Sequence, residues 1–297
     1  MASLVDLAAP GMHTDGFWDP ITSTLDWCEA NYQFSYYIAE LANSFSNLFT
    51  IVLAFFGVVH TWRQGLPLNH TVSFLLFALV GIGSFAFHAS LLYSAQLADE
   101  LPMIYLVSHG FFSLFDTNPG FGTLNDPKTR LLLVAEVLFD VLFTWSYAVV
   151  YRNPVYHQVV FGLFDTGMVV RGMYLMRQAK TEEDPKEKDG RLTATSAATP
   201  RTVRDVVIPR SVRKDMRYCL TAGVMSFMVG FALWNVDNVF CGNVTALKRA
   251  VGWPGAFLLE GHAWWHVCTG YGAFLVFTGV SYMSVDGHSA SRTSPVN

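Results

Sequence analysis

The sequence predicts an all-α polytopic membrane protein, a bundle of seven transmembrane helices with its N-terminus in the lumen and its C-terminus in the cytosol. Three observations lead there. Of 297 residues, 52% are hydrophobic and only 14% charged, a balance too apolar for a soluble domain of this length. Apolar stretches close to the ~20 residues that cross ~30 Å of hydrocarbon recur along the whole chain. Of the 19 Lys and Arg residues, 11 fall between Arg177 and Arg217, a long connection that the positive-inside rule assigns to the cytosol.

Residues 1–37 form a polar, acidic segment without Lys or Arg. It lacks the short basic start of a cleaved signal peptide, so the first apolar stretch is expected to be retained. Hydropathy places spans at 38–62, 71–93, 98–115, 130–151, 154–177, 217–240 and 256–283. With seven spans, Arg63, Lys128, Arg130 and Arg292 lie on the cytosolic side, and Arg152, Lys248 and Arg249 are exceptions. Residues 178–216, charged and Pro-containing with few aromatics, read as a flexible cytosolic loop within a membrane domain covering 38–283. The Ser-, Gly- and Pro-containing stretch 284–297 reads as a disordered tail. A net charge of -4 carries no nucleic-acid signal.

Cys28 and Cys241 both fall on the predicted lumenal side, where an oxidising compartment allows them to pair, although a free thiol at Cys28 remains open. Cys219 and Cys268 lie within predicted helices and read as small packing residues. Asn243-Val-Thr245 is a glycosylation sequon on the lumenal side; Asn69-His-Thr71 faces the cytosol. Asp140, Asp165 and Arg171, inside predicted spans, are expected to face the bundle interior.

Three histidines carry the chemistry: His88 in SFAFHASLLY, and His262 and His266 in EGHAWWHVCTGYG. Residues four apart share a helix face, so His262 and His266 can reach one ion, and His88 would complete a three-histidine zinc site with an open coordination position. Singly each signal is weak, since a lone membrane histidine more often hydrogen-bonds a neighbouring helix. Ser84 precedes His88 by one helical turn, and Asp99 follows a short polar break. On the predicted topology all these groups converge in the lumenal leaflet. A carboxylate there suits proton transfer, and a hydroxyl suits an oxyanion. The bland reading is that Asp99 caps a helix and Ser84 packs between helices.

A second polar cluster precedes the first span. Asp26, Glu29, Asn31 and Glu40 offer the oxygen ligands that calcium takes, but the spacing is not that of an EF-hand, and a solvated acidic turn is the simpler reading. Glu40, Asn43, Ser46 and Asn47 form a stripe expected to face the bundle interior. Asn235, Asp237 and Asn238 fit a hydrogen-bonded belt.

Six stretches in order, D26-W-C-E-x-N31, E40-L-A-N-S-F-S-N47, S84-F-A-F-H88, Q96-L-A-D-E-L-P-M-I-Y105, W234-N-V-D-N and H262-A-W-W-H266, resemble the alkaline ceramidase family of seven-helix membrane hydrolases related to adiponectin receptors. The resemblance implies zinc on His88, His262 and His266, with Ser84 and Asp99 as the active-site serine and aspartate. It also implies calcium on Asp26, Trp27 through its backbone carbonyl, Glu29, Asn31 and Glu40, and a Cys28–Cys241 disulfide. The implied activity is hydrolysis of a ceramide-type lipid to a sphingoid base and a fatty acid, in an endoplasmic reticulum or Golgi membrane. Fold kinship also admits a receptor-like signalling protein with a structural zinc. A di-iron hydroxylase would need more clustered histidines, whereas His13, His60, His70, His109, His157 and His288 are scattered.

Overall fold

Eight α-helices account for most of the described residues of the structure, a computed structural model that describes residues 15–116, 124, 126–178, 180–181, 207–208 and 210–292. They are α1 (Leu41–Arg63), α2 (Leu68–Ser90), α3 (Tyr93–Ser113), α4 (Pro127–Trp145), α5 (Pro154–Gln178), α6 (Arg210–Val239), α7 (Cys241–Val251) and α8 (Gly261–Arg292). A π-helical turn, Ser146–Val150, continues α4, and a 3-10 turn, Gly255–Leu259, precedes α8. Lys180–Thr181 pairs in parallel with Val207–Ile208; most of the 178–216 connection lies outside the described residues. Of the 284–297 stretch, the backbone of 284–292 continues α8, and 293–297 lies outside the described residues.

Five of these helices are long and apolar enough to cross a membrane: α1, α2, α4 with its π-turn, α5 and α6. α3 and α8, 21 and 32 residues long, are less uniformly apolar. Polar and titratable groups interrupt them, Gln96, Asp99 and Glu100 in α3 and His262 and His266 in α8. The membrane assignment follows directly from the exposed apolar faces. Leu131, Val134, Val137, Leu138, Val141 and Leu142 all project outward from α4, a surface that water would not tolerate and lipid would cover.

The interior is built where α2 packs on α1 and α3, and α8 packs on α1 and α6. Phe74, Phe77, Leu106, Met168, Leu220 and Phe277 fill its centre. Two contacts bring backbones unusually close. Gly223 of α6 and Gly272 of α8 face each other, and a Cβ on either would lie 2.9 or 2.8 Å from the other's carbonyl oxygen, the small-residue approach that helix pairs in membranes use. At Gly83 of α2, a Cβ would fall 1.9 Å from the Ala98 carbonyl oxygen of α3. Pro102 in α3 lacks the N–H that would otherwise bond that carbonyl.

The segment before α1 closes one end of the bundle. A helix end leaves carbonyls without partners, and here the segment supplies them at the end of α2. Ala39 N–H donates to Ala89 O at 2.9 Å, Glu40 N–H to His88 O at 3.0 Å, and Thr22 and Ser23 N–H to Leu91 O at 3.2 and 3.0 Å. Leu91 turns the chain out of the helix in a left-handed conformation. A Cys28–Cys241 disulfide ties the same segment to the first residue of α7.

Candidate active site and metal centre

His88 sits in the last turn of α2, and His262 and His266 in the first turns of α8. All three are buried, and one nitrogen from each lies within 4.8 Å of the others, a group that can hold a metal ion. Ring centroids are 5.0 Å apart for His88 and His262, 4.7 Å for His88 and His266, and 4.6 Å for His262 and His266. The structure also supports a fit to a metal through its unsatisfied atoms. His88 Nε2 and His262 Nδ1 are buried without a hydrogen-bond partner, a state that normally costs ~1–3 kcal/mol for each group. A cation taking those lone pairs removes the cost.

Each ring is held from outside. His88 Nδ1 faces Glu40 Oε2 at 2.5 Å. His266 Nδ1 lies 2.8 Å from Ser46 Oγ and 3.2 Å from Asn47 Nδ2. The Trp27 indole stacks on His262, with centroids 4.0 Å apart and planes inclined by 17°. The backbone under His262 is fixed by Asp237, whose Oδ1 accepts the Gly261 N–H at 3.2 Å and so satisfies a donor at the start of α8.

Ser84 is buried one turn before His88, and its side chain interacts with the Asp99 carboxyl of α3. Their meeting depends on the close approach of α2 and α3 at Gly83, because the Asp99 backbone nitrogen lies only 3.0 Å from the Cβ that Gly83 lacks. The next residue, Glu100, points to a different set of partners: Oε2 accepts from Tyr147 at 2.5 Å and from Gln96 at 3.1 Å.

The acidic segment lies beside this centre. Glu29 is buried, and its two carboxyl oxygens accept the N–H groups of Ala42 at 2.6 Å and Asn43 at 2.8 Å, so it caps α1. Glu40 Oε1 faces the Trp27 N–H at 3.4 Å and Oε2 the Asn43 amide at 3.1 Å. Asp26 accepts from the Asn31 amide at 3.2 Å, while Asn31 Oδ1 is buried without a partner. Burial raises the carboxyls of Asp26 and Glu29, and the negative charges of Glu40 and Glu260 push Glu29 up further. Lys248 is engaged elsewhere, 2.5 Å from Glu260 and 3.3 Å from the Cys28 carbonyl.

A family model described as Ceramidase matches residues 19–294. The chain belongs to the ceramidase family. Alkaline ceramidase 3 of Mus musculus is 31% identical over 267 residues, spanning 90% of this chain and 86% of that relative. Alkaline ceramidase YPC1 of Saccharomyces cerevisiae is 28% identical over 284 residues, covering 93% of this chain and 81% of the yeast protein. An alkaline ceramidase of Arabidopsis thaliana is 26% identical over 262 residues, with 88% and 84% covered. Several contacts of this ceramidase-family chain are not marked by its sequence. Ser46 and Asn47 lie on the expected inward face of α1, but nothing local joins them to His266. Asp237, expected in a polar belt, also caps the start of α8. The Glu40–His88 contact spans 48 residues of sequence, and no local signal marks it.

Proposed function

We propose that this protein hydrolyses the amide bond of ceramides, giving a sphingoid base and a free fatty acid, with zinc on His88, His262 and His266 and stimulation by calcium. Family membership makes it a ceramidase enzyme, and its apolar helices make it a membrane protein. The observation that carries the catalytic reading is the convergence of three buried histidines with a Ser84–Asp99 pair one helical turn away. Held by three neutral imidazoles, zinc would supply Lewis acidity that makes water nucleophilic near neutral pH and polarises the substrate carbonyl.

The chain's own groups perform the remaining work. Asp99 accepts a proton from the attacking water and returns it to the amide nitrogen as the carbon–nitrogen bond breaks, so that amide and water become amine and carboxylic acid. As Asp99 takes up the water proton, Ser84 turns its one hydroxyl hydrogen from that carboxyl to the carbonyl oxygen, where negative charge builds. Glu40 keeps the His88 ring turned with Nε2 inward. The Trp27 ring covers His262 and limits access of water from that side.

Calcium would bind Asp26, the Trp27 carbonyl, Glu29, Asn31 and Glu40. Support comes from the buried, mutually repelling carboxyls and the unpartnered Asn31 oxygen. Because Glu40 also touches His88, a cation on the acidic segment would act on the metal centre through one side chain. The same reading gives seven spans, α3 and α8 included, with the N-terminal segment in the lumen of the endoplasmic reticulum or Golgi. A disulfide on that segment fits an oxidising lumen.

The decisive experiment measures metal content and ceramide hydrolysis of purified protein. One zinc per chain is expected, and His88→Ala or His262→Ala is expected to lose both metal and turnover. Full hydrolysis by metal-free protein would refute the reading.

A further inference from the structure

The stripe Asn43, Ser46 and Asn47 on α1 is not used by the proposed reaction, yet it lies against a metal-centre histidine. We propose that Ser46 is a positioning residue: its hydroxyl oxygen accepts the Nδ1 hydrogen of His266 and holds the ring in the tautomer whose Nε2 lone pair is free for a metal. This rests on the three-histidine reading above and adds a residue to it.

Ser46 Oγ lies 2.8 Å from the Asn43 backbone carbonyl and 2.8 Å from His266 Nδ1. A carbonyl oxygen only accepts, so the single hydroxyl hydrogen is committed to Asn43, and Oγ presents lone pairs to the ring. Nδ1 must then carry the imidazole hydrogen, which leaves Nε2 unprotonated.

Asn47 offers the competing arrangement. Its amide nitrogen lies 3.2 Å from Nδ1 and 2.9 Å from the Asn43 carbonyl. If that amide donated to Nδ1, the ring hydrogen would sit on Nε2 and block it as a ligand. The two arrangements exclude each other at Nδ1, and the shorter contact belongs to Ser46. His88 repeats the pattern with a different acceptor: Glu40 takes its Nδ1 side, and Nε2 is buried without a partner. The beginning of α1 thus orients two of the three histidines.

The test is competition for zinc against a chelator, using the full-length protein stripped of metal, as wild type and as Ser46→Ala, Ser46→Thr and Asn47→Ala. Ser46→Ala is expected to weaken zinc binding about 10- to 100-fold, the usual effect of removing a group that orients a ligand. Ser46→Thr, which keeps the hydroxyl, is expected to restore most of that loss, and Asn47→Ala to have the smaller effect. Melting temperatures of the metal-free forms, expected to be alike, separate orientation of the ring from damage to the fold. Unchanged affinity in Ser46→Ala, equal loss in Ser46→Thr, or loss confined to Asn47→Ala would overturn the proposal while leaving the zinc site intact. Failure of the wild type to take up zinc would instead remove the metal-centre reading, and this inference with it.

Discussion

Asp99 and Glu100 are neighbours in sequence with different surroundings, and the difference sets what each can do. Glu100 is buried and accepts two hydrogen bonds, from Tyr147 and Gln96. Asp99 lies at the α2–α3 contact with the Ser84 hydroxyl beside it. A group that exchanges protons with water and substrate is hindered by fixed donors, so in the proposed reaction Asp99, with one rotatable hydroxyl beside it, suits the base role better than Glu100 with two donors. Asp99→Asn preserves shape but cannot accept a proton. It is expected to retain zinc while turnover falls about 10²- to 10⁴-fold, measured by metal analysis alongside initial rates. Normal turnover would remove the proton-transfer role.

At the scale of elements, the site depends on how closely helices approach and how their ends are capped. The α2–α3 contact leaves no room for a side chain at Gly83, since the atom it would strike is the backbone oxygen of Ala98 and cannot rotate away. Gly83→Ala must therefore part the helices and draw Ser84 away from Asp99. A displacement of ~1 Å at a reacting group costs about 10²-fold in rate, and a drop of that order in kcat, with zinc still bound, is the expected result in steady-state assays. Glu29 acts at another helix end. It caps α1, and in the proposed calcium site it also contributes charge. Glu29→Gln removes the charge and leaves one oxygen for the two N–H groups, so calcium stimulation should weaken and part of the cap is lost with it. Glu29→Ala loses the whole cap and should cost about 1 kcal/mol of stability, more than Glu29→Gln. Calcium titrations of activity and thermal melts on both variants separate the two roles; an unchanged calcium response in both would count against the second site.

For the whole molecule, the segment before α1 works as a cover joined to three helix ends. Its backbone completes α2, Glu29 starts α1, and the disulfide fastens it to α7, which places Trp27 over His262. The cover concentrates acidic groups in a buried place. Glu29 holds its proton well above the ordinary carboxyl value of 4.5, chiefly because burial disfavours its charged form and also because Glu40 and Glu260 lie near it. A folded state that binds more protons than the unfolded one loses stability as pH rises through the interval between the two pKa values. Calcium requires the ionised carboxylates and would offset that loss. The melting temperature of calcium-free protein is therefore expected to fall as pH rises above about 5, and the increase produced by calcium to grow over the same interval. Thermal melts across pH with and without calcium measure both slopes; a calcium effect independent of pH would argue against ionisation of these carboxyls being coupled to binding.

Much of the frame was legible in the chain because hydropathy and helical spacing are local properties. The sequence by itself determined the apolar helices, the shared face of His262 and His266, the proximity of Ser84 to His88 along one helix, and the inward stripe on α1. It could not decide which nitrogen of each ring faces the centre, since that depends on partners far away in sequence. Glu40 reaches His88 across 48 residues and Ser46 reaches His266 across 220. Nor could it assign Glu29 to a helix cap, Asp237 to the start of α8, or Trp27 to the face of His262, because turns and chain reversals set those contacts. Tertiary structure decided them: close packing leaves each ring one orientation, and a buried polar atom must either find a partner within reach or wait for a metal to supply one.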